Sequence, residues 1–234
     1  MHTWNVTPQQ ALLIQERLRK KVLLEKNFDR IKTVAGGDVS FRDNEVTAAV
    51  VVFDYERLDV VEESVVRSSC SFPYIPGLLT FREGPPLLEA LRRLRFQPDV
   101  MIFDGQGIAH PRGIGIASHL GVLLNRPAIG CAKSRLVGEY AEPGVRRGSL
   151  SPLTVQGETV GTVARTREGV RPVFVSPGHL IDCATATEIV LNCCTRFRLP
   201  EPTRWAHRRA HLFAKKSTLQ HNKERATTNG AFRG

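Results

Sequence analysis

The sequence predicts an α/β fold: a mixed five-stranded central sheet of order 3-2-1-4-5, flanked by helices and carrying an extra β-hairpin. Three observations predict it. First, three β-branched runs, "TVAGGDVSF" (33–41), "VTAAVVVFD" (46–54) and "DVVEESVVRSS" (59–69), follow one another across short polar gaps, the pattern of an antiparallel meander. Second, "DVMIFDG" (99–105) and "PAIGCAK" (127–133) are short and nearly all apolar, as strands buried on both faces are. Third, a helix-like stretch precedes each of these two, so both read as parallel strands reached by crossovers.

Taken in order, Thr7-Pro8-Gln9-Gln10 reads as a capping box with proline in the first turn, opening a helix expected to run to about Lys26. After the meander comes "PYIPGLLTFREGP" (73–85), too rich in proline and glycine for a helix interior or a central strand, yet too apolar for a solvated linker. "PPLLEALRRLRF" (85–96) reads as a helix with proline at its start, and "GIGIASHLGVLLN" (113–125) as another. The stretch from "SPLTVQGETVG" to "VFVSPG" carries alternating β signals, a hairpin or small meander, and helices at about 182–196 and 202–216 close the fold.

The 234 residues suit one domain, expected over 1–216, with 217–234 a basic tail expected to be disordered. Net charge is +10, of which +7 lies from Arg204 onward, an arm suited to a polyanion or simply to solvation. No apolar run approaches a membrane span, and "MHTWNVTPQQ" lacks the pattern of a signal peptide. Five cysteines without a CxxC pair argue against a disulfide framework or a zinc ribbon, so a cytoplasmic, reducing setting is expected.

Strand order 3-2-1-4-5 makes strands one and four parallel neighbours. Asp38 and Asp104 then lie side by side at the carboxyl edge, where open α/β sheets favour ligand sites. Two carboxylates so placed share a proton or a divalent cation, and oxygen donors suit Mg²⁺ or Mn²⁺ better than zinc. The bland alternative is an aspartate capping a turn. Glu83 is a third acid, either a ligand or a carboxylate favoured by a helix N-terminus. "DGQGIAHPRGIGIASHLG" (104–121) places five glycines at a strand-to-helix junction, where backbone N–H groups can meet an anion. His110 and His119 are ligands or packing residues. Lys133 emerges at the same edge and can hold a phosphate oxygen or remain a surface charge.

"GGDVSF", "PYIPGLLTFREGP", "DGQGIAHPRGIGIASHLG", "GCAKSRL", "VFVSPGH" and "LPEPTRWAH" together resemble the endonuclease V (deoxyinosine 3′-endonuclease) family, from the first helix to about residue 210. The resemblance implies an RNase H-like fold. It implies a Mg²⁺-dependent hydrolase, with Mn²⁺ as substitute, that cuts DNA at the second phosphodiester 3′ to a deaminated base and leaves 3′-hydroxyl and 5′-phosphate ends. Deoxyinosine is the expected lesion, with deoxyuridine and deoxyxanthosine as further candidates. Carried over by matching positions, Asp38, Asp104 and Glu83 hold metal, His207 completes the acidic site, and Lys133 and His110 line the scissile phosphate. Tyr74, with Pro73, Ile75, Pro76 and Gly77, forms a wedge that enters the duplex. Gly105, Gly107, Gly113 and Ser134 are placed among the DNA- and lesion-binding positions. Two other readings remain open at this point: a ribonuclease for inosine-containing RNA, and a noncatalytic nucleic-acid-binding protein. A monomer is expected.

Overall fold

The computed structural model describes residues 2–26, 28–42 and 45–230, the side chains of 216–230 excepted. Strands β1 (Thr33–Arg42), β2 (Glu45–Asp54) and β3 (Val60–Ser69) form the expected meander. β4 (Val100–Phe103) and β5 (Ala128–Ala132) follow, each preceded by a helix: α2 (Leu79–Arg92) and α3 (Ile116–Leu124). The strand order begins 3-2-1-4-5, and β1 pairs parallel with β4, as β4 does with β5.

The sheet does not stop there. β6 (Leu150–Val155), β7 (Glu158–Ala164) and β8 (Val173–His179) extend it to eight strands, order β3-β2-β1-β4-β5-β8-β7-β6. The expected hairpin is thus continuous with the main sheet, because β8 pairs antiparallel with β5. Pro177 lies within β8 and has no N–H for the ladder. The register shifts between Ala128 and Ile129, opposite it, and absorbs the missing bond.

Alternation along the strands fills a core on each face. Val51 and Phe53 of β2 with Val100 and Ile102 of β4 pack toward α4 (Cys183–Asn192) and α5 (Glu201–Gly230), against Ile189, Val190 and Ala206. The intervening Val50, Val52, Met101 and Phe103 pack toward α2 and α3, against Leu87, Leu91, Ile116 and Leu120. Strand side chains point alternately to opposite faces, so one run of β2 and one of β4 serve both layers.

Two helices differ from the sequence expectation. α1 (Pro8–Arg19) has the predicted capping box but ends well before Lys26. Beyond it Leu23 leaves the helix to pair with β8: its N–H donates to His179 Nδ1 (3.2 Å) and its carbonyl accepts from Leu180 N (2.7 Å). α2 begins at Leu79 rather than Pro85, so Pro85 and Pro86 lie inside it. A proline there leaves the carbonyl four residues back without its donor. The Cys70 thiol takes over at Arg82, with Sγ 3.7 Å from the freed oxygen. The expected basic tail, 217–234, falls on the distal part of α5 and on 231–234; the last four residues lie outside the described residues.

Candidate active site

Asp38 and Asp104 are brought together by register. Gly37 of β1 pairs with Phe103 of β4, and each aspartate is the next residue along its parallel strand. α5 supplies the lid of this corner. Its first turn presses on β1 so closely that a Cβ on Gly36 would stand 2.0 Å from the Pro202 carbonyl carbon. That approach carries His207 to the edge, where Nδ1 lies 2.6 Å from Asp38 Oδ2. Lys133, just past β5, bonds through Nζ to Asp104 Oδ2.

Glu83 arrives from α2, in its second turn, and not ahead of the helix as the sequence suggested. The Pro85–Pro86 pair therefore lies within the helix that carries the acid. Burial, then the charges of Asp38 and Asp104, push the Glu83 carboxyl up to about 8 against the opposing Arg82. Burial and the Asp104 charge likewise raise Asp38, while His207 opposes them. For Lys133, burial works toward a lower pKa, but the hydrogen bond and charge of Asp104, with Asp38, outweigh it and the net direction is up. Three carboxylates are thus crowded into one corner, and burial with their mutual charge favours the protonated form of Glu83.

This donor set is all oxygen apart from His207, and its crowded carboxylates are what a hard divalent cation would neutralise, so the residues fit such an ion. As they stand, no three His, Cys, Asp or Glu side chains among the described residues close around one point. Asp38 and Asp104 are engaged by His207 and Lys133 instead.

Beside this corner lies a cavity of about 160 Å³. One wall is the PYIPG loop with Thr80; the other includes Gly105, Gln106, His110, Ile116 and Leu136. Tyr74 stands 70% exposed at the rim, while Ile75 packs inward against the cluster of Ala11, Phe72, Leu78 and Phe81. Pro73 and Pro76 are exposed around them. Ile75-Pro76-Gly77-Leu78 is a type II turn, closed by Leu78 N to Ile75 O (2.9 Å), with Gly77 at φ +79°.

The structure sorts the remaining expected site residues. His110 does not join the carboxylates in its bonding: Nε2 meets the Gly77 carbonyl (3.1 Å) and Nδ1 accepts from Arg112 N (3.2 Å). Burial and the Arg112 charge lower it to about 4, which favours a neutral ring bonded to the PYIPG loop. Gly107 gives its N–H to Ser176 Oγ (2.7 Å) and backs onto the Pro177 carbonyl, which makes it a packing glycine with no N–H left for an anion. Gly113 occupies an open turn at φ +65°. Gly105 lines the cavity, and Ser134, exposed on the opposite loop, accepts from Gln106 Nε2 (3.2 Å). His119 is wholly buried against Trp4 and His2, a packing residue. Gln106 and Leu136 of the cavity wall went unnoticed in the sequence, because neither belongs to a residue type or spacing that marks a site.

The chain matches the family model for Endonuclease V over residues 16–208. It is 54% identical over 207 residues to Endonuclease V of Methanothrix thermoacetophila, covering 88% of this chain and 92% of the relative. Among solved structures, Endonuclease V of Streptomyces avermitilis superposes with a TM-score of 0.87 at 42% identity, covering 92% of this chain and 96% of that one. Endonuclease V of Ciona intestinalis, solved in complex with a 23mer DNA containing an inosine followed by a ribo-adenosine, superposes with a TM-score of 0.80 at 30% identity, covering 90% and 99%. The match spans the sheet, the carboxylate corner and the PYIPG loop together. The chain belongs to the endonuclease V family.

Proposed function

We propose that this protein is a DNA repair endonuclease that recognises a deaminated base, deoxyinosine first, and hydrolyses the second phosphodiester bond on its 3′ side. The carrying observation is the pairing of Asp38 and Asp104 on adjacent parallel strands, with Glu83, His207 and Lys133 around them and a cavity behind an exposed tyrosine alongside. The complex of the Ciona relative with inosine-containing DNA favours a DNA substrate.

Tyr74 supplies an aromatic face for the stack that an extruded base leaves, on a loop whose two prolines limit recoil. Extrusion costs a few kcal/mol, and less for a weakly paired base such as inosine opposite thymine. The cavity behind Tyr74 has room for about one base. Asp38, Asp104 and Glu83 would hold Mg²⁺, with Mn²⁺ as substitute. Such an ion, when bound, polarises the phosphate and lowers the pKa of water. Lys133 offers positive charge to a non-bridging oxygen. His207, oriented through Nδ1 by Asp38, leaves its other ring nitrogen to hold or move a proton. Water oxygen bonds to phosphorus, the bond to the 3′-oxygen breaks, and that oxygen takes a proton, giving 3′-hydroxyl and 5′-phosphate ends.

All five cysteines are free, and among the described residues no helix is long and apolar enough to cross a membrane. We infer a monomer working in a reducing, cytoplasmic setting. The test is Asp38→Ala: nicking of inosine DNA is lost while binding of the same duplex survives. Turnover retained in this variant would refute the assigned chemistry.

A further inference from the structure

Three side-chain donors converge on one backbone oxygen of the wedge loop. The Gly77 carbonyl, at the third position of the type II turn, receives His110 Nε2 (3.1 Å), Arg112 Nη2 and Gln15 Nε2 (3.0 Å). A carbonyl has two lone pairs, so three converging donors saturate it. Of the three, Gln15 comes from outside the glycine-rich segment, on the inner face of α1 between Ala11 and Leu18, and it is 1% exposed. Its other amide atom is also committed, since Oε1 accepts from Arg112 Nε at 2.6 Å, and Nε2 lies a further 3.4 Å from the Ile114 carbonyl. One buried amide therefore orients the arginine and, with it, holds the turn. The parts joined are the two walls of the cavity: Gly77 on one, His110 on the other. Among the described residues the side-chain bonds of Gln15 go to the wedge loop or its backing, and none to Asp38, Glu83, Asp104 or Lys133.

We propose that Gln15 is a positioning residue for lesion recognition: it acts through Arg112 and the Gly77 carbonyl to hold Tyr74 at the height and angle needed to part a base pair. The proposal rests on the reading of Tyr74 as a wedge. It has a consequence that a merely structural role lacks. A base already unpaired needs no wedge, so the contribution of Gln15 appears on a duplex and vanishes on a single strand.

The experiment compares wild type with Gln15→Met, of similar length but without hydrogen bonds, and with Gln15→Glu, which can still accept from Arg112 Nε but cannot donate to Gly77. Each nicks a duplex with inosine opposite cytosine and the same inosine strand alone. Losing one neutral hydrogen bond and one to the Arg112 guanidinium corresponds to at least about a tenfold effect, so Gln15→Met raises KM on the duplex by about tenfold or more with kcat at saturation unchanged. On the single strand its KM stays within about twofold of wild type. Gln15→Glu turns a carboxylate oxygen toward the Gly77 carbonyl, so its duplex KM rises at least as much as that of Gln15→Met, and it serves alone if Gln15→Met does not fold. An unchanged KM on the duplex, or an equal loss on both substrates, overturns the proposal. A wild-type protein inert on both overturns the wedge reading itself and this proposal with it.

Discussion

Glu83→Gln tests the electrostatics of the acidic corner through stability, without recourse to catalysis. A carboxylic acid held up to about 8 keeps its proton in the folded protein, whereas the unfolded chain releases it near the ordinary value of 4.5. Between those two pH values the folded state binds the extra proton, so the contribution of Glu83 to stability is greatest below 4.5, falls as pH rises, and levels off above about 8. Each pH unit in that window contributes at most about 1.4 kcal/mol, a ceiling of about 5 kcal/mol in all. Partial exposure of Glu83 screens this, and about 2–3 kcal/mol is the expected loss. Glutamine resembles the protonated acid and does not titrate. In urea unfolding with EDTA present, Glu83→Gln therefore outlasts wild type at pH 9 by about 2–3 kcal/mol more than at pH 5. Magnesium should then restore wild type at high pH more than the variant, because a ligand stabilises the state that binds it. Parallel stability curves for the two proteins across pH 5–9 would refute the picture of three carboxylates sharing one charged corner.

Other outcomes follow from the same geometry. Tyr74→Ala removes the exposed ring at the cavity rim and should lower the preference for inosine duplex over undamaged duplex by about tenfold, in line with 1–3 kcal/mol per stacked base; an unchanged preference contradicts the wedge. Gly36→Ala places a methyl 2.0 Å from the Pro202 backbone. It should destabilise the protein by about 2–3 kcal/mol in urea unfolding, and weaken nicking as His207 is pushed off Asp38. An unaltered midpoint would show that α5 does not pack as described. Removing residues 217–234 deletes Lys223, Arg225 and Arg233. The slope of log affinity for DNA against log salt should fall by about 2–3, and an identical slope would show that the tail makes no phosphate contact.

The central strand order was legible because each strand run has a clear period and the chirality of crossovers leaves few ways to connect them. Asp38 and Asp104 could be paired from that order alone. The start of α2 was hidden for a local reason: Pro85-Pro86 signals a first turn, yet both lie within the helix, where Cys70 serves the Arg82 carbonyl that Pro86 frees, across twelve residues of chain. The extension of the sheet was hidden by Pro177, which argues against a central strand unless the register shifts opposite it, as it does. His110 was legible as a site histidine but not its direction, which depends on Gly77 and Arg112 meeting it in space. Gln15 left no signal at all. A glutamine on an amphipathic helix reads as surface until the fold buries it.

The most direct measurement is magnesium-dependent nicking of two matched oligonucleotides, one with deoxyinosine in DNA and one with inosine in RNA, beside Asp104→Ala. The account predicts a single nick one nucleotide 3′ of deoxyinosine, with 3′-hydroxyl and 5′-phosphate ends, absent from the variant. Cleavage confined to the RNA would contradict the DNA substrate and make the enzyme a ribonuclease, and cleavage of neither would leave a lesion-binding protein without the chemistry assigned to Asp38 and Asp104.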